Sequence, residues 1–179
     1  RSEKTSIAKR RRLPAVPAYY ADILRWLPVM KEPTKYFSTP CVNEMRAFAE
    51  GTKIMLEEGM EARFTRHALY AEAIRAGLVA FGFTFFTHRD CWADTLSVVR
   101  YPEGVDDKAF RAGYFEYGCV VAGGLADTAG KVFRMGHMGN LTAEQILFAL
   151  EAMERTLETL GRAVDRGAAG RAAERVLRP

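Results

Sequence analysis

Arg134 stands in the middle of a short apolar run, Val132-Phe133-Arg134-Met135, with Gly123, Gly124 and Gly130 ahead of it and Gly136 and Gly139 behind. Strand alternation would put Val132 and Arg134 on one face and Phe133 and Met135 on the other. If Phe133 and Met135 pack beneath helices, Arg134 points the opposite way. Its guanidinium is always charged and presents a planar fork that matches a carboxylate, so a partly buried one needs an anionic partner. Two partners satisfy that need: an Asp or Glu elsewhere in the chain, giving a structural ion pair, or the carboxylate of a ligand. The glycines favour the ligand, because backbone without Cβ atoms can turn sharply or approach a bound molecule. His137, three residues on, could contact the same ligand or tune its protonation; a loop histidine with local hydrogen bonds is the plainer alternative.

The surrounding elements follow from periodicity. Thr39-Pro40 reads as a helix start, and Cys41, Met45, Phe48, Thr52 and Met55 recur at helical spacing up to Gly59. A second helix runs from Met60 to Phe81, with Gly82 as its stop. Then the period changes. Residues 83–87 and 96–101 are aromatic and β-branched runs joined by a polar connection, and a helix follows over 106–117, closed by Gly118. Residues 119–122 and 131–135 read as two more strands. Thr142 and Gln145 have the spacing of a capping box, and Ile146, Leu150, Met153, Leu157, Leu160 and Val164 make a one-sided apolar stripe. Beyond Gly167 the tail is expected to fray. The fold class is therefore α/β, as a small α+β domain: a largely antiparallel sheet of about four strands with helices on one face. Arg134 would lie on the uncovered face. Residues 1–35 are interrupted by Pro14, Pro17, Pro28 and Pro33 but carry Tyr19, Tyr20, Trp26 and Leu27, and are expected to dock on another surface rather than build a core.

Bulk properties exclude several classes. With 179 residues and 49% hydrophobic content, the chain suits one domain, or one domain plus a piece of another. The net charge of +4 comes largely from basic runs near the ends, Lys9 to Arg12 and Arg162 to Arg178. Such runs are usually solvated, so a nucleic-acid partner is not expected. Cys41, Cys91 and Cys119 are scattered, as are the three histidines, so neither a disulfide framework nor a metal site is expected. Without an apolar run of membrane-spanning length or a signal peptide, the expected location is cytoplasmic.

Three stretches together resemble the C-terminal part of class V aminotransferases, the pyridoxal-phosphate enzymes that include alanine-glyoxylate and serine-pyruvate aminotransferases. They are Lys35-Tyr36-Phe37-Ser38-Thr39-Pro40, the run from Leu56 to His67, and Gly123 to Gly139. The resemblance extends over roughly residues 19–160. It implies that Arg134 binds the α-carboxylate of the amino or 2-oxo acid, and that Tyr36 and Thr39 reach across a homodimer interface to the cofactor phosphate. Both hydroxyls suit phosphate oxygens, although Thr39 could equally be a plain helix cap. The implied organisation is a trailing segment of a large cofactor domain with an interface loop at 1–39, an interdomain helix at 40–58, a fold-type I small domain at 59–166 and a frayed tail at 167–179. The Schiff-base lysine is implied to lie upstream of residue 1, since Lys35, Lys53 and Lys131 do not match its position. No catalytic residue is then expected in this chain, which alone would not transaminate. Its partners would be a small amino acid such as alanine or serine, a 2-oxo acid such as glyoxylate or pyruvate, the N-terminal portion of the same protein and a second copy. The competing expectation is a stand-alone module binding a small effector or partner domain, with a basic nucleic-acid arm.

Overall fold

Phe83, Phe110 and Phe133 bury their rings against one another, with centroids 5.2–6.0 Å apart, and residues 55–179 are built around that contact. The computed structural model describes residues 7–10 and 19–178, in two compact units, Arg1–Ile54 and Met55–Pro179. The basic run Lys9 to Arg12 falls partly, and Pro14 and Pro17 wholly, outside the described residues.

In the first unit a helical turn at 7–10 and α1 (Ile23–Lys31) are joined by the Arg10–Asp22 ion pair at 2.7 Å. Phe37 gathers Tyr19, Tyr20 and Trp26 around it at centroid distances of 4.8–6.2 Å, while Tyr19 and Tyr20 remain about half exposed. These aromatics form a small cluster without a buried residue, as fits the expectation that they build no core of their own. Each ring supplies apolar area at a low entropy cost, so four of them can order a short segment. Helix α2 (Val42–Glu58) begins here and crosses the boundary into the second unit. None of its residues is buried, and Met45, Phe48 and Leu56 are well exposed.

The second unit continues with α3 (Met60–Ala80), β1 (Thr84–Phe85), β2 (Leu96–Arg100), α4 (Asp107–Glu116), β3 (Ala122–Gly123), β4 (Val132–Gly136), α5 (Ala143–Thr159) and α6 (Ala168–Leu177). The sheet is antiparallel throughout, in the order β1-β2-β4-β3. Phe133 and Met135 face the helices and are buried with Ile74, Phe110, Ile146, Leu150, Met153 and Leu157. Each such side chain contributes about 2 kcal/mol by leaving water. The antiparallel sheet with helices and the face assignment of Arg134 match the sequence reading.

Two expectations need correction. Residues 119–121 are not strand: the Cys119 N–H closes α4 on the Tyr114 carbonyl at 3.1 Å, so pairing starts only at Ala122. Residues 168–177 do not fray but form α6, which packs on α3 and α5 through Ala169 and Ala173, both essentially fully buried. Small side chains carry that contact, and a reading that looks for large apolar residues passes over them.

Candidate functional site

β4 places the second unit's candidate ligand residue. Register pairs Arg134 with Val98 on β2 and with Ala122 on β3, so these three share the open face, together with Leu96, Arg100 and Gly136. Arg134 is half-buried, and its Nε–H donates to the Gly123 carbonyl at 3.0 Å. Among the described residues no carboxylate pairs with it. The structural ion pair that the sequence left open is therefore not formed here; the guanidinium is oriented by a backbone acceptor, and its terminal fork remains for another anion.

The Gly123 carbonyl is itself fixed. A Cβ on Gly124 would lie 2.1 Å from the Thr128 carbonyl oxygen, so only glycine permits this close approach. The Thr128 hydroxyl closes the same turn, donating to the Leu125 carbonyl at 2.7 Å and accepting from the Leu125 N–H at 3.0 Å.

Beyond β4, His137 is buried rather than facing a pocket. Its Nδ1 lies 3.1 Å from the Asp94 carbonyl and its Nε2 3.0 Å from the Ser97 hydroxyl, whose oxygen accepts from Arg75 Nε at 3.1 Å. The carbonyl requires the proton on Nδ1, which leaves Nε2 as acceptor. Burial, with the Arg75 cation alongside, pushes His137 down to about 4. Arg75 also donates to the Ala93 carbonyl at 2.5 Å and lies over the Trp92 ring at 4.8 Å. Ligand contact by His137 is thus replaced by a structural role, tying β2 to the exit of β4.

A second grip lies two residues further on. Gly139, at φ +90°, donates its N–H to His67 Nε2 at 3.1 Å, and its carbonyl accepts from Arg66 at 3.0 Å. Glu58 accepts from both Arg66 and Arg63, and the Arg66 contact first holds its carboxyl down to about 2. The Leu56–His67 stretch supplies this clamp through Glu58, Arg63, Arg66 and His67. Arg75 and Ser97 carried no signal in the sequence, because a polar pair 22 residues apart is found only once the fold joins it.

Tyr36 and Thr39 occupy one loop of the first unit, between a 3-10 turn (Pro33–Lys35) and α2. Both are exposed, and among the described residues neither hydroxyl bonds to the helix that follows. The plain helix-cap reading of Thr39 is not realised. Arg134 belongs to the other unit.

No family model matches the chain. A pyridoxamine–pyruvate transaminase of Mesorhizobium japonicum is 38% identical over 160 residues, covering 87% of this chain and 40% of that protein. A serine–glyoxylate aminotransferase of Methylorubrum extorquens is 35% identical over 151 residues, 83% of this chain and 38% of that one. The solved ureidoglycine–glyoxylate aminotransferase of Bacillus subtilis aligns with a TM-score of 0.90 at 29% identity, over 98% of this chain and 46% of its own. The chain's homologues are aminotransferases of the alanine/serine–glyoxylate type. It spans about two fifths of the length of the curated aminotransferases just named. Among the described residues there is no group of acidic, His or Cys side chains that could hold a metal and no helix long and apolar enough to cross a membrane.

Proposed function

We propose that this chain is the C-terminal portion of a cytoplasmic, homodimeric, pyridoxal-phosphate-dependent class V aminotransferase. It moves an amino group from a small amino acid such as alanine or serine to a 2-oxo acid such as glyoxylate or pyruvate. In this reading residues 1–39 belong to the large domain and interface loop, 40–58 link the domains, and the small domain runs from 59 through α6. The observation that carries it is the half-buried Arg134, oriented through Nε and without a carboxylate partner among the described residues.

The described residues fit the cofactor in part. The exposed Tyr36 and Thr39 hydroxyls are donors of the kind phosphate oxygens take. Pyridoxal phosphate, when bound, supplies the electron sink for breaking the Cα–H bond. Arg134 would hold the substrate α-carboxylate by two charge-assisted bonds and so orient the Cα substituents. Tyr36 and Thr39 would hold the phosphate of the partner subunit's cofactor. The lysine that carries the cofactor comes from the remainder of the enzyme, so this chain alone has no activity.

The test uses the intact enzyme that contains this chain. It should show the visible absorbance of bound pyridoxal phosphate and transaminate alanine or serine. A colourless, inactive intact protein would end the reading.

A further inference from the structure

The loop leaving β4 holds one side chain outward between two fixed points. His137 is locked by Ser97 and the Asp94 carbonyl, and Gly139 by His67 and Arg66, yet Met138 between them is 54% exposed. An exposed methionine on a loop so restrained is presented rather than loose. Its direction is also set: a Cβ built on Gly136 would lie 3.9 Å from the Met138 methyl. Gly136 shares the open face with Arg134, two residues along the same strand, hence roughly 7 Å away. The Met138 methyl therefore stands beside the exposed Gly136 on the Arg134 face. Leu96 stands opposite Gly136 and Val98 opposite Arg134 on the neighbouring strand, both partly exposed. Next to the guanidinium there is thus a floor of Leu96, Val98 and the Met138 methyl, which brings no charge of its own.

We propose that Met138 is a specificity-determining residue that limits the length of an apolar substrate side chain, the ligand being a 2-amino or 2-oxo acid with a short aliphatic side chain. The inference rests on the aminotransferase reading and on Arg134 as carboxylate holder. A carboxylate on the Arg134 fork leaves the side chain of a small 2-amino acid within a few bond lengths of this floor. A thioether suits that place because it is apolar and adapts its shape. Gly136 brings no Cβ to this place, and the Met138 methyl stands at van der Waals distance from where one would be.

The experiment compares kcat/KM for alanine, 2-aminobutyrate and norvaline in the intact, pyridoxal-phosphate-loaded enzyme and its Met138→Ala and Met138→Leu variants. Because Met138 is half exposed, both variants should melt within a few degrees of the parent. In Met138→Ala the norvaline-to-alanine ratio should rise about tenfold, mainly through KM, as expected for opening a pocket by one or two methylenes. Met138→Leu should stay within about twofold of the parent ratio. If an active Met138→Ala enzyme keeps the parent ratio, the specificity role is wrong while the aminotransferase reading stands. If the parent enzyme transaminates none of the three donors, both fall.

Discussion

The Nε–H of Arg134 is committed to the Gly123 carbonyl, so in the proposed function the substrate carboxylate would meet a fork that is already turned. A charge-assisted bond is worth about 1.5–3 kcal/mol, and losing two should lower kcat/KM of the intact enzyme by roughly 10²–10⁴-fold in Arg134→Ala, for amino donor and oxo-acid acceptor alike. Lysine at this position should recover little, because an ammonium cannot keep the Gly123 bond and pair bidentately at once. Steady-state kinetics with both substrates decides this; an unchanged KM would remove the carboxylate role. His137 gives a pH-dependent counterpart. Burial lowers its folded value to about 4, from an ordinary value near 6.5, so the unfolded chain binds the proton more readily between those limits. The stability contributed by the neutral ring is full above about pH 6.5 and is lost as pH falls towards 4, by about 3 kcal/mol in all. Urea unfolding from pH 7 to 4 should show this slope, and His137→Asn should flatten it.

At the scale of elements, the turn from Gly123 to Gly130 carries the aim of Arg134. Gly124→Ala forces a Cβ against the Thr128 carbonyl, so the turn must open and the Gly123 acceptor must move. The expected result is a loss of about 1–3 kcal/mol in unfolding free energy together with a raised substrate KM, measured on the same preparation. Helix α6 makes a separate claim: Ala173→Glu places a charge where none can be solvated and should cost at least about 3 kcal/mol. A thermal shift too small to measure would mean that α6 docks loosely. The sheet, its helices and the face of Arg134 were legible in the sequence because the buried Phe133 and Met135 alternate with Arg134 along β4 and the 3.6-residue stripe of α5 records burial, although Val132, on the Arg134 face, is buried as well. The aromatic cluster around Phe37 was less so, since its partners are split between residues 19–26 and 37. The Arg75–Ser97–His137 relay and the Glu58–Arg66–His67–Gly139 clamp were illegible for a deeper reason. Each is a set of polar groups that only tertiary structure brings within hydrogen-bonding distance, and hydrogen bonding leaves no periodic mark. Helix α6 was missed because alanine-rich turns between arginines resemble a solvated tail until a facing helix gives the alanines something to touch.

For the molecule as a whole, the proposed reading, in which this chain is a portion of a longer aminotransferase, predicts its behaviour in isolation. The 179-residue polypeptide should bind no pyridoxal phosphate, and the exposed Met45, Phe48 and Leu56 of α2 should make it self-associate; the intact enzyme should run as a coloured dimer. Light scattering with absorbance detection separates these cases, and a monodisperse, monomeric isolated chain would instead support a stand-alone module. The docking of α6 on α3 also carries a consequence for biosynthesis. The two helices that close this unit lie about a hundred residues apart in the chain, so on the ribosome α3 emerges with its apolar face unmatched and waits while β1 through α5 are made. At 5–20 residues per second that wait is about 5–20 s. The interval is a window for chaperone capture, and nascent chains halted before residue 168 should remain protease-sensitive throughout α3, whereas chains extended well past Leu177 should not.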